Sequence, residues 1–278
     1  MSELLSTLKA GDLAASLQLL QQAVRQAPGD ARQRVFLFQL LAVLGQWDRA
    51  LAQLDVLATL DAGALQMVHA YRATIRCERW REDAFAGLRA PLLFGTPAPW
   101  MAQFMSALRL DAAGDTAGAA QLREAALADA PALTGSIDGN PFDWLMDADP
   151  RLGPMLEWIS NGNYYWLPMQ HIAQLECAAP ADLRDQVWMP ATLLLTNGGD
   201  MVGFIPTRYP GTLHSHDDAL LLGRRTDWAD HYGLAQYGLG QRLFATDRAD
   251  FALMDTRTLA FAHALAASAS VDAGAGHG

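Results

Sequence analysis

Residues 45–54 read GQWDRALAQL, and two other stretches, GDLAASLQLL at 11–20 and GDTAGAAQLR at 114–123, repeat its plan. Each opens on a glycine, and the three glycines, Gly11, Gly45 and Gly114, stand 34 and then 69 residues apart. The second interval is about twice the first, which leaves room for a degenerate copy at ERWREDAFAG, residues 78–87. Five residues past each glycine comes a small side chain, Ser16, Ala50 or Ala119, where two helices can approach closely. Seventeen past the first and third comes a proline, Pro28 or Pro131, which cannot continue a helix. Before the glycines, apolar residues keep helical spacing. Leu37, Leu40, Leu41 and Leu44 fall at i, i+3, i+4 and i+7, and so do Met101, Phe104, Met105 and Leu108.

A 34-residue period with a turn glycine, a small residue in the second helix and a closing proline is the pattern of tetratricopeptide-like helix pairs, expected here over residues 1–134. Such stripes first of all make a core. Stacked pairs also leave a concave face, the part able to recognise another polypeptide. The densest basic run, Arg72, Arg76, Arg79 and Arg81, is interleaved with Glu78, Glu82 and Asp83 and reads as a solvated, partly paired helix face.

The texture changes at Thr134-Gly-Ser-Ile-Asp-Gly-Asn-Pro141, after which glycine, proline and tryptophan are frequent and short β-prone runs replace the helical stripes. Residues 193–209, LLLTNGGDMVGFIPTRY, read as two strands folded back on Asn197 and Gly198, which supply the positive-φ positions of a tight hairpin. A phosphate loop at the glycine pair would need a following helix, and Met201 to Pro206 favour a strand. Tyr164 to Met169, Ala219 to Leu222, Leu243 to Thr246 and Phe251 to Asp255 are expected as further strands, and Pro154 to Ile159 as a short helical piece. The expected fold is therefore α+β in two domains, a helical repeat followed over 135–263 by a mostly antiparallel sheet with a few helices. Residues 264–278, ending in AASASVDAGAGHG, are expected to be a disordered tail.

The net charge of −10 argues against a nucleic-acid or anionic-membrane partner. Of the 20 basic residues only Lys9 is lysine, so the positive charge is nearly all guanidinium, suited to planar ion pairs. Cys77 and Cys177, with no C-x-x-C spacing, make neither a disulfide framework nor a metal motif and fit a reducing cytoplasm. The amino terminus carries no signal-peptide pattern, and nowhere do 18 uncharged apolar residues run together, so no membrane insertion is expected.

Chemistry is sparse. His214-Ser-His-Asp-Asp218 could offer ligands to a divalent ion, but adjacent loop residues rarely converge without a distant ligand, and a solvated loop is the plainer reading. No catalytic serine or zinc-protease motif occurs, Gly238-Leu-Gly240-Gln-Arg242 lacks the third glycine of a dinucleotide loop, and no cofactor or metal is expected. Arg224, Arg225, Asp227 and Arg242 could clamp an anion, though arginine and aspartate at a strand end more often tie loops together. The tryptophans at 144, 158, 166, 188 and 228 read first as core and second as anchors for a partner.

Five motifs stand in order: NGNYYWLP at 161–168, DQVWMPA at 185–191, GFIPTRYPG at 203–211, LGRRTDW at 222–228 and GLGQR at 238–242. Together they closely resemble the run of motifs in the ImpE family, over roughly residues 135–262, with Asn163 standing where that family suggests a basic residue. The resemblance implies a cytoplasmic, non-enzymatic adaptor of bacterial type VI secretion systems. Such a protein binds the amino-terminal helix of the sheath protein TssB and assists the ATPase ClpV in recycling the sheath. No catalytic residues carry over. Tyr165, Trp166, Arg224, Asp227, Trp228 and Arg242 are the candidate partner-binding residues within those motifs. Two rival readings are a hydrolase using the His214 to Asp218 loop or an arginine-lined pocket, and a purely structural subunit of a larger assembly.

Overall fold

The computed structural model describes residues 2–95 and 97–262, so the expected disordered tail lies outside the described residues. The helices of the first half are α1 (Ser2–Ala10), α2 (Leu13–Gln26), α3 (Ala31–Val43), α4 (Trp47–Leu60), α5 (Leu65–Phe85), α6 (Pro99–Ala112) and α7 (Thr116–Asp129). Their boundaries follow from the repeated phrase. Gly11, Gly45 and Gly114 all adopt positive φ, which ends a helix in the left-handed region that glycine enters without a Cβ penalty. The aspartate that follows the first and third glycines caps the next helix: Asp12 accepts from Ala15 N–H and Asp115 from Gly118 N–H. The small residues Ser16, Ala50 and Ala119 are fully buried between helices.

ERWREDAFAG departs from the repeat. Without a leading glycine, α5 runs unbroken through Glu78 and ends only before Gly87, which takes φ +73°. The long helix is what reaches the sheet.

The strands are β1 (Leu92–Leu93), β2 (Gly135–Ile137), β3 (Asn140–Phe142), β4 (Leu145–Asp147), β5 (Met155–Ser160), β6 (Asn163–Pro168), β7 (Ile172–Cys177), β8 (Trp188–Leu195), β9 (Asp200–Pro206), β10 (Thr226–His231), β11 (Ala235–Gly240), β12 (Leu243–Thr246), β13 (Asp250–Ala252) and β14 (Thr258–Phe261). The main sheet has the order β1-β6-β5-β9-β8-β7-β14-β2-β3 and is antiparallel except for the β1 to β6 pairing. The remaining strands make a hairpin, β10-β11, and a small sheet, β13-β12-β4. The mostly antiparallel sheet is as expected, and β8 and β9 form the predicted hairpin in continuous register from Trp188↔Pro206 to Leu194↔Asp200. At its turn only Gly198 has positive φ, +82°, while Asn197 instead accepts the Gly199 N–H on its side-chain oxygen.

Two local expectations fail, and a third, the strand over Phe251 to Asp255, holds only for Phe251 and Ala252 of β13, the next three residues forming a turn. Pro154 to Ile159, read as a short helical piece, instead lead into and form most of β5, whose six residues are all buried and so show no alternation. Residues 219–222, read as strand, lie in and just after a short helix, α8 (Asp218–Leu221), because Asp217 takes the free N–H groups of Ala219 and Leu220.

The sheet is packed on both faces. Met155 and Ile159 of β5, Tyr164 and Trp166 of β6 and Trp188 of β8 join one hydrophobic cluster with the helices. Leu156, Trp158, Leu167 and Met189 belong to a second cluster on the other face. Gly203 of β9 is required by this packing, because a Cβ there would stand 2.4 Å from the Ile159 carbonyl and 2.7 Å from the Trp158 ring.

A buried ion network crosses from α5 to the sheet. Arg81 donates through Nε to Glu157 Oε1 at 2.6 Å and through Nη2 to Oε2 at 2.9 Å and the Arg208 carbonyl at 2.8 Å. Arg242 pairs with both Glu157 and Asp147, and Tyr164 O–H donates to Glu157. Burial pushes the Glu157 carboxyl up, but Arg81 and Arg242 outweigh it and hold it down at about 2. Asp147, with one guanidinium and with Asp149 beside it, is instead pushed up by burial to about 6.

Two outcomes follow. Glu157→Gln leaves two buried guanidiniums short of a partner and lowers stability by about 3–5 kcal/mol at neutral pH. The Glu157 pKa is depressed on folding, so its contribution is complete above 4.5 and lost as pH falls toward about 2. Urea midpoints of wild type and variant therefore converge across that window. Gly203→Ala overpacks β9 against β5 and costs about 1–3 kcal/mol, read by calorimetry as a lower Tm.

Candidate functional site

Where α5 crosses the sheet, its small residues open a groove of about 560 Å³. Ala70 and Ala73 form one wall, Gly162 and Gly203 the floor, and Val202 and Phe204 of β9 the other wall. Val202 and Phe204 lie two residues apart on one face of the strand, and the groove end closes on the ring of Phe204, 5.4 Å from Tyr71. Val202 is 74% exposed, an apolar side chain with no cover at the rim. Gln66, His69, Thr74, Ser160 and Asn161 add polar groups, and among the described residues no carboxylate lines the site. With alanine at i and i+3, α5 presents no ridge there, which lets another helix approach to about 8–10 Å between axes.

The candidate residues drawn from the motifs sit outside this groove, and Trp228 and Arg242 both pack against Tyr209. Trp166 is fully buried, with its indole N–H donating to Tyr164 O–H at 2.7 Å. Arg242 is fully buried in the ion network. Neither side chain offers surface to a partner in this conformation. Tyr165 is half-buried against the second cluster. Arg224 donates from Nη1 to the Lys9 carbonyl at 3.0 Å and from Nη2 to the Leu8 carbonyl at 2.6 Å, so it closes the carboxyl end of α1. Asp227 and Trp228 are exposed on β10, where Trp228 leans on Tyr209 at 5.9 Å between ring centres.

The His214 to Asp218 loop is occupied by structural bonds. Asp218 accepts the Leu13 N–H at 2.9 Å and caps α2 from a distance, and Asp217 caps α8 and pairs with Arg225 at 2.7 Å. Ser215 O–H donates to the Thr212 carbonyl at 2.7 Å. Among the described residues no three of His, Cys, Asp and Glu gather where they could hold a metal ion. No helix among them is long and apolar enough to cross a membrane.

Sequence reasoning passed over the groove. Its walls come from α5 and β9, and the one local sign is that Val202 and Phe204 continue an apolar face past the strand's buried part.

The ImpE protein family model matches residues 139–260, and the Tetratricopeptide repeat model matches residues 7–73. The chain is 52% identical over 254 residues to the type VI secretion system accessory component TagJ of Pseudomonas aeruginosa strain PAO1, an alignment spanning 91% of this chain and 89% of that protein. Its fold is similar to the X-ray crystal structure of protein VPA1032 from Vibrio parahaemolyticus, with a TM-score of 0.84 and 26% identity over 93% of this chain and 97% of that one. Tetratricopeptide-like helices, a mostly antiparallel sheet and the close relative together place the chain in the ImpE family.

Proposed function

We propose that the protein is an accessory component of a type VI secretion system that acts by binding, without catalysis. In this reading it captures the amino-terminal helix of the sheath protein TssB and assists ClpV-dependent recycling of the sheath in the cytoplasm. The relationship to TagJ supports the system, and one observation supports the mode of action: the open apolar groove between α5 and β9. An amphipathic helix brings an apolar stripe at i, i+3, i+4 and i+7 that needs a groove of this kind. Ala70 and Ala73 let it sit close, and Val202 and Phe204 receive its larger side chains. Such a contact uses no titrating or nucleophilic group. Asp227 and Trp228, exposed on β10, are proposed as a second contact for the same assembly.

The experiment is a titration of a labelled TssB amino-terminal peptide against the full chain and against Val202→Asp. Val202 is mostly exposed, so the variant keeps its fold while placing a charge where the apolar stripe would lie. Saturable binding by wild type and at least tenfold weaker binding by the variant are expected. No binding at high micromolar concentration removes the TssB reading, and equal binding by both proteins removes the groove from it.

A further inference from the structure

A second cavity, of about 330 Å³, lies on the other side of α5, where the helix meets the turn at Thr212–His214. Trp47, Phe85, Tyr209 and Leu213 give it apolar walls, and its mouth opens at Glu82, Ala86 and His214. Its lining carries two acids, Glu78 and Glu82, and three arginines, Arg81, Arg151 and Arg208; Glu157 holds Arg81 and Asp149 holds Arg151, which leaves Glu78 and Arg208 as the two buried charges to account for. The lining shares no residue with the groove beside β9.

Both charges are under-compensated. Among the buried arginines, Arg81, Arg123 and Arg242 each have a carboxylate partner, whereas Arg208 has none within 4.0 Å among the described residues. Its Nη1 donates to the Val43 carbonyl at 2.7 Å and the Leu221 carbonyl at 2.6 Å. Nε and Nη2 find no acceptor among the described residues, and they form the edge of a guanidinium that pairs side by side with two carboxylate oxygens. Glu78 accepts from Trp188 Nε1 at 2.8 Å, and its nearest cation is Arg81 at 3.5 Å, which Glu157 already engages with two bonds. Burial is the largest influence on both: it pulls Arg208 down to about 10 against the pull of Glu78, and pushes the Glu78 carboxyl up against Arg81, Trp188 and Arg208.

A ligand that satisfies both must carry one charge of each sign close together. A dianion such as a phosphate monoester would meet Glu78 and Glu82, while of the three lining arginines Arg81 and Arg151 are already engaged by Glu157 and Asp149. A zwitterion adds no net charge. The cavity of about 330 Å³ has room for a medium-sized amino acid together with several waters, and its walls suit an apolar side chain.

We propose that this cavity binds a free α-amino acid with an apolar side chain. Nε and Nη2 of Arg208 receive its carboxylate, Glu78 receives its ammonium group, and Trp47, Phe85 and Leu213 enclose its side chain. Bound ligand joins α5 to the turn at Thr212–His214 and stabilises the native state by mass action.

The test is a thermal-shift titration of the full chain with L-leucine, N-acetyl-L-leucine, which lacks the ammonium group, and L-leucinamide, which lacks the carboxylate. A saturable rise in Tm with millimolar leucine is expected, with at least tenfold weaker responses to the two blocked forms. Ala86→Trp plugs the exposed mouth without touching the floor, and is expected to keep the unliganded Tm and lose the response. An absent leucine response, equal responses to all three compounds, or an undiminished response in Ala86→Trp would each overturn the proposal. Because the groove is separate, none of these outcomes bears on TssB binding.

Discussion

Glu157 is a carboxylate in the middle of a fully buried strand, and the rest of the molecule is arranged to tolerate it. Bare, such a charge would be expelled from the interior or protonated. Arg81 arrives from α5, Arg242 from the segment after β11, and Tyr164 from the neighbouring strand, so the charge is surrounded on every side that water would otherwise occupy. An apolar trio of the same volume would hold the halves together as well or better. What the ions add is geometry. A two-pronged guanidinium bond is met in one orientation only, which fixes α5 in a single register across the sheet. The groove on one side of α5 and the cavity on the other are both consequences of where that register leaves small and large side chains.

The first helix pair is held by a similar exchange of polar groups over long sequence distances. Arg224 closes the end of α1 while Asp218 caps the start of α2, so the turn between them is gripped from the far end of the chain. This explains why the segment from His214 to Arg224 carries so many polar side chains and yet leaves few of them free for chemistry. Asp218 and Arg224 cap distant helix ends and Asp217 caps α8 beside it, satisfying the orphan backbone groups that every helix terminus exposes.

The repeat was legible because its punctuation is local: a glycine that must take positive φ, a small residue five positions on and a closing proline. The β8-β9 hairpin was legible for the same reason. β5 was not, since a strand buried on both faces loses the alternation that marks a strand. Ala219 to Leu222 is apolar throughout and compatible with either structure, and the decision fell to the cap at Asp217. The functional surface was the least legible part. Arg81 looked like one more member of a solvated basic face, and only the fold turns it inward while Arg72 and Arg79 pair on the surface. Trp166 and Arg242 drew notice as large or charged residues within distinctive motifs, and the fold consumes both. Alanines and glycines shape the groove, and such residues announce nothing until two distant segments are brought together.

The central claim is that α5 and the sheet behave as one body because ions buried between them fix a single register. Native-state hydrogen exchange tests this most directly, by comparing the opening free energies of amides in the second half of α5 with those in β5. Equal values that fall together with added denaturant are predicted, since neither element can then open without the other. Exchange of the α5 amides through a separate opening of lower free energy, with β5 still protected, would contradict the account.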